Sequence, residues 1–378
     1  MLSKDKTNIT FFTPTLQKTG SELVLFNLLN YLPDHFNATL VSKYQGDLYY
    51  VLPEKINKDY IFKFQYPTTL IYKLYYKLFK ARILKTKLNK YKNSVWYINT
   101  IVLPDIIEFA VKNNIRVIVH VHELQQMYSV LSQEQLKQLI SYPELIIANS
   151  NASKSVLDGF KASSDIKVCY PAIATQNFNY NSNAYKAYRK KINIDDSTFV
   201  WTMVGSIDEN KNPKLFIDIA LELKKENGDF KLLWIGSSSL GQAGEMEYLN
   251  YAKEKGVSDF IIWKTNVNDD YLNYFNCADG FVLTSNLESF SLVTLEALLL
   301  GLPVVANNCV GVNEILNGEY GKVIDNCDAL KMSEEMRSIM DQTKTRDSQI
   351  GRSLAEKFDI MIWQKVWVDM LNEYMNTK

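Results

Sequence analysis

The chain predicts a doubly wound α/β fold repeated in two halves. Three observations carry this reading. Short apolar runs alternate with helix-length segments along nearly the whole chain. The 378 residues suggest two domains of ordinary size. A polar stretch rich in Asn and Tyr, Pro171–Asp196, loses its periodicity after Ala174 and reads as the linker between two such series.

In the first series, Ile9–Thr13 reads as a strand, Glu22–Leu32 as a helix and Ala38–Ser42 as a second strand. Val95–Asn99, Arg116–Val121, Leu145–Ala148 and Lys167–Tyr170 continue the strands. The second series opens with strand Phe199–Val204 and helix Pro213–Glu226, with Pro at the first helical position. Strand Lys231–Ile235, helix Glu245–Lys255 and strands Phe260–Trp263, Phe281–Leu283 and Val304–Ala306 follow. Ser353–Met375 reads as a closing helix.

Composition excludes several classes. Lys+Arg and Asp+Glu both number 42, so the balance gives no support to a nucleic-acid surface. Cys169, Cys277, Cys309 and Cys327 are scattered without C-x-x-C spacing, which argues against a zinc site or a disulfide framework. No apolar run approaches the roughly 18 residues of a membrane span, and MLSKDKTNITFF lacks the apolar core of a signal peptide. The expectation is a cytoplasmic protein.

The richest segment is GFVLTSNLESFSLVTLEALLLGLPVVAN. A strand leads through a polar turn into a helix over about Ser291–Leu300, with Ser289 or Ser291 available as N-cap and Gly301 as the stop. Within the helix nearly everything except Thr294 and Glu296 is apolar, so it should be buried almost all round. A carboxylate there is costly without a partner, and a sugar diol would satisfy it. The N–H groups at the helix start, near Leu292, Val293 and Thr294, favour phosphate. One helix thus suits a diphosphate at its start and a diol at Glu296. The plain alternative is a solvent-facing Glu on a core helix.

Glu288 and Glu296, seven residues between them, followed by an apolar run, Gly-x-Pro and a strand, resemble the nucleotide-sugar signature of glycosyltransferase family four. The resemblance is strong over Val204–Asp325 and weak before it. It implies the GT-B fold: two Rossmann-like domains with a cleft between them and a C-terminal helix crossing back. The first domain, residues 1–180 with about 358–378, would bind acceptor. The second, residues 190–357, would bind the donor. It also implies a retaining, metal-independent enzyme with no cofactor beyond its nucleotide-sugar donor. The absence of a D-x-D motif agrees. The acceptor would be a glycan or lipid-linked hydroxyl in bacterial surface polysaccharide synthesis, such as lipopolysaccharide, O-antigen or capsule. Glu288 would meet the sugar and Glu296 the ribose.

Other positions follow. Gly20, opening a helix after the first strand, would let backbone approach the donor; an ordinary tight loop is the alternative. His122 closes the run RVIVHVHEL at a strand C-terminus, where open sheets bind ligands, and HEL resembles the family's first-domain histidine motif. His120 shares its strand face and reads as a packed core imidazole. Asn99 either lines the acceptor side or forms a turn. GSIDENKN places Lys211 where the family has a phosphate-binding lysine, but Ser206 stands where an Arg is common. Gly236–Ser239 resembles the family's second glycine loop, and Gly311–Glu314 the loop that shapes the pocket floor. Such features without the Arg keep a second reading open: a non-catalytic nucleotide- or glycan-binding subunit supporting a partner enzyme.

Residues 60–104 contain nine Lys or Arg and no Asp or Glu. Lys73, Lys77, Lys80 and Lys87 recur at helical spacing beside Leu70, Leu74, Leu78, Ala81 and Leu88, with tyrosines interleaved. A basic, aromatic helix of this kind suits an anionic membrane surface, which would make the protein peripheral on the inner face of the plasma membrane. A solvated helical face is the alternative.

Overall fold

The structure, a computed structural model, describes residues 6–17, 20–63, 70–160, 165–226, 229–238, 241–267, 270–316, 318, 320–342 and 348–377. The side chains of residues 47, 70–74, 76, 77 and 348 lie outside that description. The chain divides into two compact units, residues 1–173 with 360–378, and residues 174–359.

Unit 1 is built on a seven-stranded sheet with β1 Thr7–Thr13, β2 Phe36–Tyr44, β3 Asn57–Phe62, β4 Val95–Asn99, β5 Val117–Val121, β6 Leu145–Ala148 and β7 Asp165–Val168. The order is β3-β2-β1-β4-β5-β6-β7, and all pairings are parallel. Central strands β4, β5 and β6 are buried at every position, which is why they read as continuous apolar runs. The edge strand β3 escapes sequence reading because only Ile61 and Phe62 of its six residues are buried. The final helix, Ile360–Asn376, returns to this unit: Trp367 is fully buried, and its indole N–H donates to Tyr97 Oη at 3.0 Å.

Unit 2 repeats the plan with β8 Phe199–Val204, β9 Phe230–Ile235, β10 Ile261–Lys264, β11 Gly280–Leu283, β12 Val304–Asn307 and β13 Lys322–Ile324. The order β10-β9-β8-β11-β12-β13 is again parallel throughout. Both sheets are Rossmann-like. In each, the strand order reverses beside the first strand, at β1/β4 and at β8/β11, and that reversal is where open sheets place ligands.

One stretch departs from expectation. The segment read as a polar linker contains a helix, Ser182–Lys191, whose N-cap Asn181 accepts from the Asn183 and Ala184 N–H groups at 3.0 Å. Its Arg189 is fully buried, ion-paired with Asp279 at 2.9 Å and bonded to the Cys277 carbonyl at 3.0 Å. A buried guanidinium needs such partners; these two lie some ninety residues away, invisible to local pattern, and the nearby Asp195 and Thr198 carbonyls take its other nitrogen.

The helix after β11 spans Leu292–Leu299. It ends as the Gly predicts: Gly301 sits at φ 71, its N–H bonds the Leu298 carbonyl at 3.0 Å, and the Leu302 N–H bonds that of Ala297 at 3.0 Å. A Cβ on Gly351 would lie 2.4 Å from the Leu298 carbonyl oxygen, so glycine is what lets helix Ser348–Ala355 press this close.

Candidate functional site

The site in unit 2 starts where β8 ends. Gly205 lies beneath β9: Trp234 Nε1 donates to its carbonyl at 3.0 Å, and a Cβ on Gly236, held at φ 143, would sit 2.0 Å from that same oxygen. Gly236 is thus demanded by backbone packing at the strand ends, whatever else it touches. Ser239 lies outside the described residues.

The loop Ser206–Asn212 is folded around Asp208. Its carboxylate accepts from the Ser206 hydroxyl and from the Lys211 N–H, the latter at 2.9 Å. Asn212, left-handed at φ 55, caps helix Pro213–Lys224 by accepting from the Leu215 N–H at 3.0 Å. This loop is stitched to the turn after β11. The Asn286 N–H donates to the Asn210 carbonyl at 2.7 Å, Thr284 Oγ1 to the Lys211 carbonyl at 2.7 Å, and Asn210 Nδ2 to the Leu287 carbonyl at 3.0 Å.

That stitching brings Lys211 onto Glu288. Lys211 Nζ forms an ion pair with Glu288 Oε1, and Ser285 Oγ donates to the same oxygen at 2.8 Å. The pair is partly accessible, with 20% and 14% of the side chains exposed. The Glu288 backbone is held on both sides: its N–H donates to the Cys309 carbonyl and its carbonyl accepts from the Gly311 N–H, each at 2.9 Å. The Gly311 N–H also reaches the Cys309 carbonyl at 3.0 Å, closing a three-residue γ-turn on Val310 at φ 70, ψ −70. A Cβ on Gly311 would stand 2.3 Å from the Ser289 carbonyl oxygen, so this floor requires glycine.

Glu296 lies two turns beyond, on the helix that Glu288 precedes. It is half-buried, and its Oε2 is sealed from solvent with no hydrogen-bond partner. Burial pushes its carboxyl up to about 8. At the helix start, Leu292 and Val293 are half-buried and have no intrahelical acceptor for their N–H groups. Thr294 differs from expectation: its N–H is taken by the Ser291 carbonyl at 3.2 Å, which removes it from a phosphate-binding set. Ser291 is the N-cap residue, yet its side chain makes no cap bond and instead accepts from Thr294 Oγ1 at 2.9 Å. A neighbouring cavity of about 490 Å³ is lined by Asp208, Glu209 and Glu247 against the single cation Lys214, an excess of carboxylates that does not suit a diphosphate.

In unit 1, Gly20 opens helix Gly20–Asn30, and a Cβ there would meet nothing within 4 Å. Neither conformation nor packing requires glycine at this position. Thr19 lies outside the described residues. The loop before it is pinned by Glu22, a buried carboxylate accepting from the Thr15 N–H at 2.9 Å and from the Thr15 hydroxyl. His122 follows β5 directly. Its Nε2 bonds Asn99 Oδ1 at 2.9 Å, and burial lowers its imidazole to about 3. The His120 ring stands 4.2 Å away, its Nδ1 bonded to Tyr97 Oη at 2.7 Å, and burial followed by the nearby His122 keeps it neutral. Glu123, which sequence reading did not single out, joins the two strand ends. It accepts from the His122 N–H at 2.9 Å and from the Thr100 hydroxyl, and burial raises its carboxyl. Thr100 itself is held at φ 131, a strained conformation for a β-branched residue. The signal for Glu123 was its place next to His122.

The basic run is partly revised. Lys87 turns inward onto Asp59 at 2.8 Å, with Tyr91 Oη on the other carboxylate oxygen at 2.7 Å. Asp59 lies one residue before the acid-free window. Lys80 is exposed, as are Tyr75, Leu78 and Phe79. The side chains of Lys73 and Lys77 lie outside the described residues. No helix among the described residues is long and apolar enough to cross a membrane, and no three His, Cys, Asp or Glu among them converge as metal ligands.

Comparison with known proteins bears on these two units. Residues 185–353 match the family described as Glycosyl transferases group 1. A D-inositol 3-phosphate glycosyltransferase of Paenarthrobacter aurescens is 26% identical over 231 residues, which is 61% of this chain and 54% of that protein. The counterpart in Corynebacterium aurimucosum is 23% identical over 245 residues, 63% of this chain and 58% of that protein. The chain thus spans about half the length of the curated relatives it matches. Among solved structures, Anabaena Alr3699/HepE in complex with UDP-glucose superposes with a TM-score of 0.79 at 18% identity, covering 97% of this chain and 99% of that one. WaaG, a glycosyltransferase involved in lipopolysaccharide biosynthesis, gives 0.74 at 13% identity over 96% and 99%. The stretch of unit 2 that matches this family model thus lies within a chain that has the two-sheet GT-B fold of these structures.

Proposed function

We propose that the protein is a retaining, metal-independent glycosyltransferase that moves a sugar from a nucleotide-diphosphate sugar to a hydroxyl of a glycan or lipid-linked acceptor in bacterial surface polysaccharide synthesis. The observation that carries this is one arrangement at the β8/β11 reversal. A lysine and a carboxylate are paired and partly accessible there, and the next helix bears a buried, unpartnered carboxylate oxygen on Glu296. Lys211 and the Leu292 and Val293 N–H groups take the diphosphate, Glu288 takes the sugar, and Glu296 takes the ribose diol. The cation and the helix start balance the charge of the departing nucleoside diphosphate, whose phosphate oxygen receives the acceptor proton. In unit 1, Gly20 leaves room for close approach and His122 meets a substrate hydroxyl. The donor class is supported by the UDP-glucose bound to Alr3699/HepE.

Donor binding raises the melting temperature by mass action, so a thermal-shift series over UDP-, GDP-, ADP- and dTDP-sugars, followed by calorimetry, tests this reading. If no nucleotide sugar stabilises the protein, the reading is wrong. A second reading, a non-catalytic subunit, draws on Ser206, which stands in an Arg position and is committed to Asp208. Nucleotide-sugar binding without hydrolysis or transfer to any acceptor would favour it.

The residues 60–104 contribute an anionic-membrane surface at the cytoplasmic face, through Lys80 with exposed Tyr75, Leu78 and Phe79. Co-sedimentation with anionic vesicles should weaken with salt and in Lys80→Gln. Binding equal to that of neutral vesicles would remove this part of the reading.

A further inference from the structure

The hydrogen-bond directions around His122 are fixed by elementary donor and acceptor rules. Asn99 is fully buried, and its Nδ2 donates to the Ser21 carbonyl at 3.1 Å. A carbonyl only accepts, so the amide nitrogen must face Ser21 and Oδ1 must face His122. Oδ1 also only accepts. The Asn99–His122 bond at 2.9 Å therefore needs the imidazole proton on Nε2. The neutral ring then carries its lone pair on Nδ1. That atom has no hydrogen bond among the described residues and is not sealed from solvent.

The neighbouring ring has a partner that can serve in either role. An indole N–H only donates, so Trp367 fills an acceptor site on the Tyr97 hydroxyl at 3.0 Å. The hydroxyl keeps its proton and a second lone pair, so it can donate to or accept from His120 Nδ1 at 2.7 Å, while His120 Nε2 is a buried atom with no partner. Of the two imidazoles, His122 alone is set by a partner that cannot reverse its role.

We propose that Asn99 is a positioning residue: it holds His122 as the Nε2–H tautomer, leaving Nδ1 as the ring's one acceptor, the atom that takes a substrate hydroxyl. The last clause rests on the proposed glycosyl transfer; the tautomer does not. Asn99 supplies geometry and tautomer only, and touches no substrate itself. A turn-forming role for Asn99 would need neither its burial nor its bond to the ring.

The test is long-range ¹H–¹⁵N correlation on full-length protein labelled at histidine. The sequence holds only His35, His120 and His122, and His35→Gln and His122→Gln spectra assign them. The wild type should show His122 protonated at Nε2 and bare at Nδ1; a proton on Nδ1 overturns the proposal. In Asn99→Leu the tautomer ratio should move toward Nδ1–H by about 2- to 12-fold, the worth of one neutral hydrogen bond. Asn99→Asp keeps the acceptor and should restore Nε2–H. An unchanged ratio in Asn99→Leu overturns the role of Asn99, and if that variant does not fold, the wild-type and Asn99→Asp spectra decide. Transfer is read separately. If His122→Gln transfers at the wild-type rate while the spectra behave as stated, substrate contact by His122 fails and the tautomer assignment stands.

Discussion

The two sheets share strand order, parallel pairing and a reversal beside the first strand, yet they equip that point in opposite ways. In unit 2 the strand ends carry charge. Lys211 and Glu288 are paired and partly exposed, and Glu296 keeps an oxygen without a donor. In unit 1 the strand ends carry two neutral rings beside the buried carboxyl of Glu123. His120 and His122 are depressed by burial and tied into amide and phenol partners. The difference teaches what each unit suits. A paired, accessible cation exchanges its carboxylate for phosphate at little cost in desolvation. A buried neutral imidazole discriminates among hydroxyls and repels nothing.

The contrast is broken most severely at Glu288. Glu288→Gln should lower transfer by about 10²- to 10³-fold, the usual loss when one charge-stabilising group is removed. Its affinity for the free nucleoside diphosphate should hold or rise, because Lys211 loses its competitor. Calorimetry that shows nucleoside diphosphate affinity falling with transfer would mean that Glu288 holds phosphate-side structure and not the sugar.

Next in size is Glu296. Glu296→Gln and Lys211→Ala should each weaken nucleoside diphosphate binding by about 10- to 150-fold, the worth of a charge-assisted hydrogen bond. Only Lys211→Ala should spare the nucleoside. A pH dependence sharpens this. With its carboxyl pushed up to about 8, Glu296 is protonated at neutral pH before ligand arrives. A diol donating to it favours the charged form, so binding should release a proton below pH 8 and tighten as pH rises toward 8. Proton release, read from calorimetry in buffers of different ionisation enthalpy, should vanish in Glu296→Gln. The sign for stability is opposite. A carboxyl whose folded value lies above its unfolded one leaves the folded state holding more protons, so its contribution is lost as pH rises from about 4.5 through 8. In Glu296→Gln that part of the slope should disappear from urea titrations.

A smaller effect tests the neutral side. Tyr97→Phe leaves the Trp367 N–H without an acceptor and His120 Nδ1 without its partner, at about 1–3 kcal/mol for each buried group left unpaired. Urea unfolding should show the loss, while nucleoside diphosphate affinity stays unchanged. A change in that affinity would show that the two units are not equipped independently.

The smallest expected change is Gly20→Ala. With nothing within 4 Å and a place in the first helical turn, Ala should alter stability by no more than about 1 kcal/mol, in the favourable direction. Weaker nucleotide-sugar binding in that stable variant would locate the donor near Gly20. Unaltered binding would return Gly20 to an ordinary loop.

How much was legible follows from where each residue's partners lie. The central strands announce themselves because burial on both faces writes an unbroken apolar run. The helix Leu292–Leu299 and its Gly301 stop are local grammar and were readable as such. Glu296 stood out because a carboxylate in an apolar helix is conspicuous. Helix Ser182–Lys191 was not readable, since its decisive residue, Arg189, is satisfied by groups around Cys277 and Asp279. Lys87 was misread for the same reason: Asp59 sits just outside the window that looked free of acid. Glu123 and Thr100 act across neighbouring strand ends, a relation that exists only once β4 and β5 pair.

The return of helix Ile360–Asn376 also fixes an order of events during synthesis. Trp367, Leu371 and Tyr374 fill the core of a unit whose other residues end at 173, and the Ile360 N–H closes onto the Ile173 carbonyl at 2.9 Å. At roughly 5–20 residues per second, all of unit 2 emerges from the ribosome during the roughly 10–40 s in which unit 1 waits for its last helix. The first half to be made is therefore the last to be finished. A nascent chain arrested before residue 360 holds all of the second unit, while Tyr97 and Phe11 of the first still lack the Trp367 ring that packs on them.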